Sequence, residues 1–161
     1  MSLNRVKKNK KVIYLEQVTE DTLEELLEMD KAFLDTQIKY LASYKLFKGI
    51  DHRLFMCGPE KVSDKPFPKE NFYFIKDGDT IVGHVEYYIE QETVSIPTLY
   101  VKEEYRGQGY GTWCIDYIKA EGKSKRAKII TIGVYLSNVA AERLYSKLGF
   151  EPYHQAMVGR L

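Results

Sequence analysis

The sequence predicts a single α/β (α+β) domain in which helices cover a mixed, mostly antiparallel sheet. Three observations carry this expectation. A chain of 161 residues with 44% hydrophobic and 29% charged residues has the size and composition of one ordinary globular domain. Its apolar residues switch repeatedly between strand-like alternation and a helical period, giving six to seven strand segments and about four helices. Finally, Asp77-Gly78-Asp79-Thr80 joins two of the strand segments with a hairpin signal, so part of the sheet must be antiparallel.

Residues 11–18 alternate apolar and polar positions and open the domain as a strand. A helical period follows over 19–30, with Leu23, Leu26 and Leu27 as its buried stripe, Thr19 as its cap, and Glu20 and Asp21 set against the helix dipole. A weaker helical pattern runs through Leu34, Ile38, Leu41 and Lys45. Gly49, Gly58, Pro59, Pro66 and Pro68 mark 48–70 as a long surface loop, either a substrate-contacting segment or a tolerated insertion. Residues 72–76, 81–90 and 93–101 then form a meander of aromatic and β-branched runs. Pro97 lies inside the third run and cannot donate to a ladder, so it should mark a bulge, an edge or a parting of strands. Helical spacing over 113–121 places Tyr110, Trp113, Cys114 and Tyr117 on one face. A β-branched run covers 128–136, and 138–148 is helical on Ala141, Leu144, Tyr145 and Leu148, with Gly149 ending it. Residues 150–161 supply one or two last strands.

The 24 Lys and Arg against 23 Asp and Glu leave a formal charge of +1, without bias towards polyanions. The 13 tyrosines are not interleaved with a basic stripe, so no nucleic-acid partner is expected. The apolar run at 129–136 is far shorter than the roughly 20 residues that span a bilayer, and no membrane association is expected. Arg5, Lys7, Lys8, Lys10 and Lys11 precede no apolar segment of the secretory kind, so 1–10 reads as a flexible basic tail and the cytoplasm as the expected compartment. Cys57 and Cys114 have no ligand spacing, and no metal site is expected.

The chemistry concentrates between a strand and a helix. Arg106-Gly107-Gln108-Gly109-Tyr110-Gly111-Thr112 sets three glycines within five positions at a helix N-terminus, where free backbone amides and the helix dipole suit a phosphate. Arg106 adds a permanent cation and Thr112 a hydroxyl donor. A P-loop would require Gly-Lys-Ser/Thr, and the dinucleotide fingerprint a different glycine spacing in an opening strand-helix-strand unit. Neither is present here.

This run resembles the acetyl-CoA loop, Arg/Gln-x-x-Gly-x-Gly/Ala, of the GNAT N-acetyltransferase superfamily. Leu99-Tyr100-Val101-Lys102 is similar to that family's splayed fourth strand, and the segment from Asn138 through Tyr145 to Phe150 to its second cofactor motif. The resemblance implies the GNAT fold and acetyl-CoA as co-substrate, without a metal. It implies that Leu99, Tyr100 and Val101 bind the pantetheine arm, that Gly107, Gln108, Gly109, Tyr110 and Gly111 hold the pyrophosphate beside Arg106 and Thr112, and that Asn138 contacts the cofactor where two strands part. Tyr145 resembles the family's general acid for the departing thiolate.

Amine acetylation also needs a proton acceptor, because a primary amine of pKa about 10.4 is neutral in only roughly one molecule per thousand near pH 7.4. A growing oxyanion needs a donor as well, such as a strand amide. Glu86 and Glu92 are the candidate bases, with Glu90 and His84 as further options and a water relay as the alternative. Ser95 stands where some histone-modifying relatives carry a glutamate. Cys114 shares its helix face with Tyr110 and Tyr117 and reads as a core residue, not a nucleophile. The carboxylates of the first helix lie opposite its leucines and read as a solvated face. The expected protein is thus an acetyl-CoA-dependent N-acetyltransferase, monomeric or homodimeric, acting on a small cationic amine or a protein or peptide amine in a ternary complex. The alternative is a non-catalytic acyl-CoA-binding sensor or interaction module of the same fold.

Overall fold

In the computed structural model, which describes residues 11–44, 69–155 and 157, the alternating segments pair into a five-stranded sheet of order β1-β2-β3-β4-β5. The strands are β1 (Ile13–Gln17), β2 (Phe72–Asp77), β3 (Thr80–Glu90), β4 (Thr93–Val101) and β5 (Ile129–Ile132). β1 to β4 are antiparallel neighbours, and only β5 runs parallel, beside β4. The β2–β3 turn forms as its sequence predicts, with Gly78 at φ 58°, where an L side chain is strained. The Gly78 N–H donates to Val12 O at 3.0 Å, which draws the start of the chain onto that turn.

The sheet is covered on both faces. Against one face packs α2 (Tyr110–Ser124), whose Tyr110, Cys114 and Ile118 join Ile75, Val82, Val85, Tyr87, Val94 and Ile96 in one core cluster. Against the other packs α1 (Leu23–Ala42), where Leu26 and Met29 meet Val18, Phe72, Phe74 and Tyr100. Helix α3 (Val139–Lys147) follows β5 and meets α1 through its approach, since the Ser137 hydroxyl donates to Tyr40 O at 3.2 Å.

Several expectations are corrected. The two helices expected over 19–30 and 34–45 are one helix through residue 42, because no glycine or proline separates their apolar stripes. A short 3-10 turn (Glu20–Thr22) precedes it, with the Thr19 N–H donating to the Thr22 hydroxyl at 3.0 Å. Leu27 is 47% exposed, so the buried stripe runs through Leu26 and Met29. On α2, Ile115 and Ile118 are buried while Tyr117 lies outside and stacks on Trp113. β5 stops at Ile132, and the described part of 150–157 forms no strand, so five strands and three α-helices stand among the described residues where six to seven and about four were expected. The basic tail at 1–10 and most of the 48–70 loop lie outside the described residues.

Pro97 fulfils two of its expected roles together. Ladder positions advance from Glu86↔Thr98 to Tyr88↔Ser95, so β4 carries an extra residue there, and the parallel pairing with β5 ends one residue earlier, at Ile96↔Ile132. Past that point β4 keeps β3 on one side only.

That one remaining neighbour is held very close. A methyl placed on Gly83 would overlap the Tyr100 carbonyl oxygen, a backbone atom that cannot rotate away. Gly83→Ala should lower the unfolding free energy by about 2–3 kcal/mol in urea denaturation. Gly122→Ala, whose methyl would meet Val94 Cγ2 at 2.6 Å, should cost less than about 1.5 kcal/mol, because a side chain can shift and alanine favours the helix.

Candidate active site

The open side of β4 forms one wall of a hollow of about 600 Å³. Leu99, Tyr100 and Val101 line it, and the chain then passes through a 3-10 turn (Glu103–Tyr105) into the glycine-rich loop. Gly107 (φ 72°) and Gly109 (φ 90°) adopt left-handed conformations that reverse the chain into α2. The first bond of that helix is Trp113 N–H to Gly109 O at 3.0 Å, so the amides ahead of Trp113 have no acceptor within the helix. Gly107, Gly109, Tyr110, Gly111 and Thr112 all border the hollow at this positive helix end.

Two side chains brace the loop. Arg106 donates from Nε to Val101 O at 3.0 Å and packs over the Tyr100 ring at 5.7 Å, holding the strand end, and it also borders the hollow. Tyr110 donates its hydroxyl to Asp77 Oδ2 at 2.7 Å, and the same carboxylate accepts from Val12 N–H at 3.1 Å. Lys11 completes the brace, donating to Gln108 O at 3.1 Å with its ammonium 3.8 Å from the centre of the Tyr110 ring. Gln108 donates its side-chain amide to Glu104 O and is not among the lining residues.

The opposite wall comes from α3 and α1. Asn138 caps α3, its Oδ1 accepting from Ala141 N–H at 3.2 Å, and borders the hollow together with Tyr145. The Tyr145 ring lies 5.9 Å from that of Phe150, and burial pushes its phenol up to about 12. Sequence reasoning missed Lys147 and the α1 contribution of Phe33, Thr36, Gln37 and Tyr40. The spacing i, i+3, i+4, i+7 of those four is a helical face and could have revealed them.

The structure does not bring the candidate bases into this hollow. Glu92 sits in the β3–β4 turn, exposed and paired with Lys128 at 2.6 Å. Glu86 is half-buried on β3 and accepts from the Thr98 hydroxyl at 3.4 Å. His84 is fully buried behind Phe33 and Tyr100. Cys114 is likewise fully buried, and burial raises its thiol far above the ordinary range, as suits a core residue. Among the described residues no helix is long and apolar enough to cross a membrane, and no cluster of His, Cys, Asp or Glu could hold a metal.

Comparison with known proteins agrees with this architecture. The Acetyltransferase (GNAT) family model matches residues 52–150, and the chain belongs to that family. It is 30% identical over 105 residues to YobR of Bacillus subtilis, an uncharacterized N-acetyltransferase, covering 65% of this chain and 39% of YobR. The chain spans between 39% and 62% of the length of the curated relatives it matches. Among solved structures, YycN of Bacillus subtilis superposes with TM-score 0.70 at 20% identity, over 93% of this chain and 99% of YycN. The aminoglycoside N-acetyltransferase AAC(6')-Iy in complex with CoA gives 0.59 at 13% identity, over 97% and 99% of the two chains.

The buried phenols give the site a pH signature. Burial raises Tyr145 to about 12, and burial with the Asp77 hydrogen bond does the same for Tyr110. Both hold their protons more tightly folded than unfolded, where tyrosine titrates near 10, so this stabilisation is intact below about pH 10 and is lost as the pH climbs towards 12. Urea midpoints should therefore fall between pH 9 and pH 11. Tyrosinate absorbance of the folded protein should lag that of the unfolded chain over the same range.

Proposed function

We propose that the chain is an acetyl-CoA-dependent N-acetyltransferase that passes the acetyl group to a primary amine by direct attack in a ternary complex. One observation carries this reading: an unpaired strand edge, a row of free amides at a helix N-terminus and the half-buried Tyr145 border the same hollow. The fit follows the chemistry of coenzyme A. A pantetheine arm offers amide groups that extend a strand edge, and Leu99 to Val101 present one. A diphosphate suits amides at a helix end, and Gly107 to Thr112 supply them with Arg106 and Lys147 as cations at the rim. Bound there, acetyl-CoA would supply an activated thioester.

Within the hollow, the amine nitrogen forms a bond to the acetyl carbon as the carbon–sulfur bond breaks. The amine loses a proton to a base or to water, and the sulfur gains one. Tyr145 is the residue for the sulfur. Its phenol, pushed up to about 12, stands well above a thiol near 8.5, so its first contribution is a hydrogen bond to the growing thiolate and not complete proton transfer. Asn138 holds the first turn of α3 and thereby the position of Tyr145. Thr36, Gln37 and Tyr40 face the remaining space, where the acceptor would enter. The likeness to AAC(6')-Iy supports the fold on which this reading stands, and the acceptor is the open variable.

The test is thiol release with acetyl-CoA across polyamines, aminoglycosides, amino acids and peptides, with mass detection of the acetylated product. At least one amine should stimulate release. Tyr145→Phe should lower that turnover by about 100-fold or more while calorimetric affinity for acetyl-CoA changes less than about threefold. Tight acetyl-CoA binding with no amine-stimulated release, and no effect of the substitution, would establish the sensor reading instead.

A further inference from the structure

One buried polar group has no place in the chemistry above. His84 is fully buried on β3, and neither ring nitrogen has a hydrogen-bond partner among the described residues. Its surroundings are aromatic: Phe33 of α1 at 6.1 Å, Phe72 of β2 at 6.2 Å and Tyr100 of β4 at 5.5 Å between ring centres. A phenylalanine would satisfy such a cage without leaving two polar atoms unpaired, so the imidazole is a costly choice for packing alone. A charged group stands beside it: Asp30 of α1, with Oδ1 3.6 Å from Nε2, just beyond hydrogen-bond reach. Arg106 also packs over Tyr100.

The placement gives this gap a meaning. Phe33 and Tyr100, two of the rings that enclose His84, are also walls of the hollow, and His84 stands opposite Tyr100 in the β3–β4 ladder. A ligand pressing on those walls would bear on α1, which carries Asp30, and on β4, the ladder neighbour of the strand that carries His84. We propose that His84 is a positioning residue: when acetyl-CoA occupies the hollow, its Nε2–H closes onto Asp30 and locks Phe33 and Tyr100 in place. The imidazole donates, the Asp30 carboxylate accepts, and the bond couples α1 to the strand edge that binds the pantetheine. This rests on the acetyl-CoA reading of the hollow.

The experiment combines imidazole nitrogen NMR with calorimetry, both using acetyl-CoA as the probe. The chain has three histidines, and the His84 signals are those lost in His84→Phe. Adding acetyl-CoA should move the Nε2 resonance of His84 to that of a hydrogen-bonded donor. His84→Phe should bind acetyl-CoA roughly tenfold more weakly while melting at no lower temperature, because it removes unpaired polar atoms. Asp30→Ala, which removes the acceptor, should show a similar loss, and the double variant no further one. His84→Gln, whose amide donor can reach the same carboxylate, should restore most of the affinity; should His84→Phe not fold, Asp30→Ala and the wild-type NMR titration decide. An imidazole signal indifferent to acetyl-CoA, or variants of unchanged affinity, overturns the positioning role alone when the wild type still binds. Absence of heat with the wild type overturns both this role and the reading of the hollow.

Discussion

Pro97 has no N–H to give, and β4 runs beside β5 only as far as Ile96, so the outward main-chain groups of the next residues must find partners elsewhere. One of them does so locally, since Val101 O accepts from Arg106 Nε. The others face a hollow whose far wall is built from α1 and α3. Strand edges are normally blunted by charge, by bulges or by covering elements, because unpaired edges recruit other chains. Here the edge begins at a bulge, and two helices form the wall across the hollow from it. The Gly83 approach to Tyr100 fixes the other edge of the same residues, so the hollow has a rigid floor.

Rigidity also explains why so many site residues carry structural bonds. Arg106 ties the strand end, Asn138 caps α3, and Tyr110 with Lys11 and Asp77 ties the glycine loop to β2 and to the start of the chain. A loop rich in glycine loses much conformational entropy when it binds an anion, and bracing it beforehand removes part of that loss from the binding step. The same bonds therefore fix the shape of the hollow as well as the fold, and a substitution at any of them will move both.

Legibility in the sequence followed locality. The hairpin at Asp77 to Thr80 and the glycine loop are each contiguous, and each was readable because its backbone geometry demands particular residue types within a few positions, whereas the cap that Asn138 makes was not read. The single length of α1 was obscured because a weakened apolar period looks like a helix end, although nothing in 31–33 breaks a helix. Assigning a base from strand position failed to gather one into the hollow: Glu92 falls in a turn and Glu86 turns to Thr98, since neighbouring strand residues point to opposite faces and a bulge shifts the alternation. The α1 face at Phe33, Thr36, Gln37 and Tyr40 was invisible for a different reason, namely that it joins the site only through tertiary packing against β4 and α3.

Charge shows most clearly what composition conceals. A formal net charge of +1 gives no overall bias towards polyanions, and it says nothing of where the charges lie. Glu24, Glu25, Glu28 and Asp35 lie exposed on α1, while Arg106, Lys147 and the N-terminus of α2 border one hollow. Exposed carboxylates are screened within roughly 10 Å at ordinary salt, so those on the far surface weigh little at the hollow. Net charge therefore says little about which ligand a hollow favours, because the local field is set by a few converging donors and not by the sum over the chain.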